Sequence, residues 1–178
     1  MPIDQSSKPP YAFVPGYWPH PVLHTDGHRY QQSVPAVNTS CSTDWITHPH
    51  WQRAIDLFDE GYYWEAHEYW EAFWIHSQRT HSVHSVLSGL ILLAAAAIKL
   101  RQGHDDVAQR LVSRAVGKWR QSHDPIVFGW DIAALIAFAE EESSSLSSAR
   151  LDPKRPVEAV YERRLARCLR VDEEDSAR

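Results

Sequence analysis

Between Tyr62 and Trp74 the chain reads Tyr-Tyr-Trp-Glu-Ala-His-Glu-Tyr-Trp-Glu-Ala-Phe-Trp, so one imidazole and several carboxylates stand among large aromatic side chains. Removing water from an unpaired charge is costly, and polar groups set among aromatics therefore have either a partner or a task. Wound as a helix at about 100° per residue, Tyr63, Trp64, His67, Trp70, Glu71 and Trp74 share one broad face, with Glu65, Tyr69 and Ala72 on the other. His67 and Glu71, four residues apart, can meet on that face, and Glu68 lies at its edge. An imidazole with one or two carboxylates is a partial ligand set for zinc, iron or manganese, so His67, Glu68 and Glu71 are the candidate divalent-metal ligands. The same three side chains, with Trp70 and Trp74 as walls, equally suit a small-ligand pocket. A structural use competes with both, because a His–Glu pair on an apolar face can satisfy itself and tie its helix to a neighbour.

Other residues add little chemistry. The order His-Glu-x-x-Glu lacks the second histidine of His-Glu-x-x-His zinc enzymes, and the paired Glu-x-x-His of di-iron bundles is absent. His20, His24 and His28 recur at four-residue steps, but Pro19, Pro21 and Gly27 oppose a helix there, so these side chains are expected in turns or facing solvent. His81 and His84 have the spacing to clip a metal if both lie on the first turn of a helix. No nucleophile elbow, glycine-rich phosphate loop or activated cysteine motif occurs.

The elements that must hold these groups follow from punctuation and periodicity. Residues 1–45 are rich in proline yet carry Tyr11, Phe13, Tyr17, Trp18 and Tyr30, which predicts an extended arm lying against the body of the protein, with a lid as one use. Residues 46–123 form the predicted core, with helices over 49–60, 62–77, 82–101 and 105–121. Gly61 and Gly103 act as stops, and the third helix, apolar on nearly every side, is central. Residues 124–178 are expected to add an apolar segment at 126–139, a last helix over 157–170 and an acidic tail. The fold class is all-α: a compact bundle of about five to six helices with an extended Pro-rich N-terminal arm.

A chain of 178 residues with 43% hydrophobic content can build one core. The net charge of -5 gives no attraction to phosphate backbones, so nucleic acid is not an expected partner. The longest apolar run, residues 86–98, is interrupted by Ser88 and Gly89 and falls short of a membrane span, so no membrane association is expected. With only Cys41 and Cys168, and no hydrophobic leader in the first twenty residues, the reading is cytoplasmic. A small molecule or a protein partner, and homodimerisation through the arm, stay open.

His48-Pro49, the segment 54–61 (Ala-Ile-Asp-Leu-Phe-Asp-Glu-Gly), Tyr63-Trp64-Glu65-Ala66-His67-Glu68, Glu71, Trp74 and the run 89–96 (Gly-Leu-Ile-Leu-Leu-Ala-Ala-Ala) together resemble the signature of the bacterial domain of unknown function 309 family, over about residues 48–119. The resemblance implies a compact all-helical bundle with no established activity. It maps the family's recurrent polar positions onto His67, Glu68 and Glu71. Two positions depart from the pattern: Asp59 stands where an asparagine commonly precedes the turn, and Ile75 where a basic residue often follows the tryptophan. The two function classes left standing are a ligand or metal pocket at His67, Glu68 and Glu71, and a non-enzymatic interaction module in which that cluster is structural.

Overall fold

The computed structural model describes residues 8–32, 37, 45–77 and 82–169. Among them are five α-helices: α1 Pro49–Asp59, α2 Tyr63–Trp74, α3 Ser82–Arg101, α4 Asp105–Trp119 and α5 Ile132–Ser145. A two-residue antiparallel hairpin, β1 Ile126–Val127 with β2 Trp130–Asp131, precedes α5 and occupies the start of the apolar segment expected at 126–139. The protein is thus all-α. Cys41, His81 and the acidic tail lie outside the described residues.

Several helix boundaries have a local cause. Pro49 opens α1, where its missing N–H is no loss, and the His48 ring caps it by accepting a hydrogen bond from the His50 amide at 3.1 Å. After Asp59 the chain reverses through Gly61 at φ 93°, a left-handed conformation that suits glycine. The same position lies so close to a neighbouring strand of chain that a Cβ would come 2.9 Å from the Glu158 carbonyl oxygen. Asp131 caps α5 by accepting from the Ala134 amide at 3.1 Å.

The core follows from the inward faces of the helices. α3 packs chiefly against α4 and α2, while α1 packs on α2 and α5 on α4. By length and composition α3 could cross a membrane, but here much of its surface is buried against its neighbours, including Leu87, Leu90, Leu93 and Ala97. Gly89 lets α4 approach: a Cβ there would lie 2.1 Å from Nε1 of Trp119, whose indole N–H donates to the Val86 carbonyl at 3.1 Å. Trp51, Trp70, Trp119 and Trp130 are all sealed inside.

The last predicted helix is not formed. Residues 157–164 run irregularly into a short 3-10 helix, Leu165–Cys168. The reason lies in where the amides go. Val160 N–H donates to the Tyr63 hydroxyl at 2.7 Å, Glu162 and Arg163 donate to the Glu142 carboxylate at 2.9 and 3.2 Å, and Leu165 and Ala166 donate to Asp59. Buried side chains of α1, α2 and α5 thus take the donors that a helix would have used on its own carbonyls. Cys168 is buried there, its thiol pushed up to about 11 by burial, which leaves it unreactive.

Residues 8–32 lie over one side of the bundle. Ala12 N–H donates to the Pro156 carbonyl at 2.7 Å, the Trp18 indole to Pro153 at 3.0 Å, and the Tyr62 hydroxyl to Pro9 at 3.0 Å. Tyr11, Ala12, Phe13 and Val14 are buried by this contact.

Candidate functional site

α2 turns a different face inward from the one centred on His67. Tyr63, Ala66, Trp70 and Phe73 are buried against the bundle. Glu65, expected on the far side, is buried as well, because residues 8–32 cover it. Its Oε1 accepts from the Phe13 amide at 3.2 Å and faces Nε2 of His28 at the same distance, and both side chains are at least nineteen-twentieths shielded (5% and 3% exposed). One turn on, Glu68 pairs with Arg29, the next residue of the arm. His28 lies in a turn, as expected, but its ring is shielded from solvent and anchors the arm to α2. Glu65 and Arg29 had a legible trace in the sequence, an adjacent His-Arg pair in a stretch where Asp26 is the one other charge, and two glutamates one helical turn apart. That match has meaning only once the arm is known to cross α2.

Glu68 is held above the usual carboxylate range by burial, opposed by the Arg29 charge. The Trp64 indole N–H lies close enough to favour the ionised form without completing a hydrogen bond. Arg101 is almost wholly buried; one guanidinium nitrogen donates to the Arg155 carbonyl at 2.6 Å and to the Asp152 carbonyl at 3.3 Å. Its Nε and Nη1 have no hydrogen-bond partner, nor has the second oxygen of Glu65. Burial pulls the Arg101 pKa down, and Glu158 and Glu65 are among the charges that favour its ionised form.

His67 sits at a rim rather than in the interior. Its side chain is 20% exposed and that of Glu71 is 49% exposed, with Nε2 and Oε1 3.6 Å apart. Burial lowers the His67 pKa and Glu71 only partly restores it, so the ring is neutral at physiological pH. Its Nδ1 is shielded and without a hydrogen-bond partner. The imidazole lies 5.8 Å from the Trp64 ring in a stacked arrangement, and His20 meets the same indole edge-on at 5.7 Å. Together His20, Trp64, His67, Glu68 and Glu71 line an open cleft of about 610 Å³ between residues 20–23 and α2, with Leu23 and Ile75 exposed on its rim.

The structure distributes the remaining candidates elsewhere. Trp70 is fully buried in the core, its ring 5.5 Å from that of Phe58, and walls no cleft. Trp74 faces a separate pocket, where its indole donates to Ser88 Oγ at 2.9 Å. Among the described residues no three His, Cys, Asp or Glu side chains gather as a metal site, so His67, Glu68 and Glu71 do not converge on one ion. Glu68 is turned to Arg29 instead, which explains why helical spacing alone overstated the cluster. Asp59, at the position where the family pattern favours asparagine, uses both carboxylate oxygens to hold the Leu165 and Ala166 amides. The aspartate can accept at both oxygens where asparagine offers one.

Residues 51–111 match the model of the family described as Domain of unknown function (DUF309), and no curated protein matches the chain. The matched segment runs from α1 into α4 and contains Glu65, His67, Glu68 and Glu71, whereas His20, His28 and Arg29, which complete the site, lie outside it. Over residues 51–111, the chain is similar to the DUF309 family.

Proposed function

We propose that the cleft between residues 20–23 and α2 binds a small organic cation carrying an apolar group. The observation that supports this most directly is His67: a neutral, largely shielded imidazole with an unpartnered ring nitrogen, beside the half-exposed carboxylate of Glu71. Glu68 is already balanced by Arg29, so Glu71 supplies the charge. Trp64 adds an aromatic wall, and Val22, Leu23, Ala72 and Ile75 offer apolar contact. A metal reading has no gathered ligand set among the described residues to support it.

Calorimetric titration with benzylammonium, alongside the His67 ring signals by NMR, tests the proposal. Binding in the millimolar range or tighter is expected, weakened about tenfold by Glu71→Gln, with neutral benzyl alcohol failing to compete. Unmoved His67 signals, or equal affinity in Glu71→Gln, would defeat it. A second reading, a protein-interaction module, is supported by Leu23 and Ile75, which stand 77% and 70% exposed on the cleft rim. If Leu23→Ser with Ile75→Ser abolishes a protein contact while benzylammonium affinity stays unchanged, that reading gains.

A further inference from the structure

On the other side of Glu71 a second pocket of about 290 Å³ opens between α2, α3 and α4, lined by Trp74, His84, Ser88, Ile91, Leu92, Arg114 and Lys118. We infer that it binds a small amphipathic organic anion, a carboxylate on an apolar body about the size of a fused aromatic pair. The site adjoins the cation cleft and shares Glu71 with it.

The floor is made by Trp74, Ile91 and Leu92, all partly exposed. The neutral polar groups on its wall are occupied. The Trp74 indole donates to Ser88 Oγ at 2.9 Å, that hydroxyl donates to the His84 carbonyl at 2.6 Å, and the His84 ring meets Ser77 Oγ at 2.8 Å. A polar ligand group therefore gains little from the wall and must look to the charges at the mouth. There Arg114 and Lys118 stand one turn apart on α4. The nearby arginines are paired, Arg110 with Asp106 at 2.9 Å and Arg120, just past the helix end, with Glu140 at 2.7 Å. Arg114 and Lys118 make no ion pair among the described residues and face the pocket as two cations above an apolar floor. An anion at the α4 edge has both cations in reach, while Glu71 at the opposite edge repels it and so orients the ligand with its apolar body toward α2. The volume, near the lower end for ligand pockets, limits the ligand to a small molecule.

Calorimetric titration with naphthylacetate and with its uncharged amide tests the site on the full chain. Naphthylacetate is expected to bind, the amide about tenfold more weakly, and Arg114→Glu with Lys118→Glu should weaken naphthylacetate by about tenfold or more. Both residues are at the surface, so the double variant should fold, as far-ultraviolet circular dichroism would verify. Leu92→Trp, which fills the floor, should abolish binding with the cations intact. Arg150→Glu, a charge reversal elsewhere on the surface, should leave affinity within about twofold. Failure of naphthylacetate to bind at millimolar concentration overturns the inference. So does equal binding of the amide, double-variant affinity within threefold of the parent, or an equal loss in Arg150→Glu.

Discussion

Glu65 and His67 stand two residues apart on α2 and meet different surroundings. Glu65 is sealed by the arm and bonded to His28 and Phe13. Replacing it with alanine strands a buried amide and a buried imidazole, so Glu65→Ala is expected to cost about 1–3 kcal/mol in denaturant unfolding. His67, at a rim, should show itself through pH instead. Burial sets its folded-state pKa below the ordinary 6.5, so between those two values the unfolded chain binds a proton that the folded one does not. The His67 contribution is fully present above pH 6.5 and is lost as pH falls through the lowered value. Comparing the parent with His67→Gln by urea unfolding at pH 7.5 and 5.5, the parent should lose more stability on acidification. Equal losses would remove the case for a shielded neutral ring.

At the scale of elements, two contacts set how the helices meet. α3 and α4 close on each other because Gly89 leaves room for the Trp119 indole. Gly89→Ala forces that indole off its hydrogen bond to Val86, and overpacking of this kind costs about 1–3 kcal/mol, read as a drop in the thermal midpoint. Asp59 ties α1 to the Leu165–Cys168 turn, and Asp59→Ala leaves two amides without acceptors at a cost of about 1–3 kcal/mol. Hydrogen exchange separates this from a general loosening. The Leu165 and Ala166 amides should exchange faster in that variant by a larger factor than those of Glu162 and Arg163, which Glu142 holds.

Over the whole molecule, two segments without regular secondary structure, residues 8–32 and 151–164, run across the bundle and touch each other through Ala12 and Pro156. Both are fastened by carboxylates on helices: Glu65 and Glu68 hold the first, and Glu142 and, through Arg164, Asp59 hold the second. If the first is held in this way, Arg29→Glu, which sets two carboxylates against each other at Glu68, should speed exchange at the Phe13 amide while leaving the α3 amides protected. Protection at Phe13 equal to the parent's would mean that the pair with Glu68 holds nothing.

Much of the scaffold was legible in the residues themselves. Pro49, Gly61 and Gly103 mark ends, the nearly unbroken apolar run of α3 declares a central helix, and the span 82–101 agrees with the helix found. These signals are local, acting through backbone geometry and through water's preference against apolar surface, and they need no knowledge of what lies across the chain. The candidate site was legible only in part. His67, Glu68 and Glu71 could be placed on one helix, but a helical wheel gives relative angles and leaves open which arc meets solvent. The arm decided that, burying Glu65, claiming Glu68 for Arg29 and leaving His67 at an edge. The same limit explains the missing last helix: residues 157–170 carry a helical pattern, yet their amides bond to side chains roughly 20 to 107 positions away in sequence, on helices whose positions no local rule specifies. What the chain settles alone is where it can coil; which polar groups are dry, paired or open is a property of segments brought together from far apart, because burial is decided by the neighbour and not by the residue.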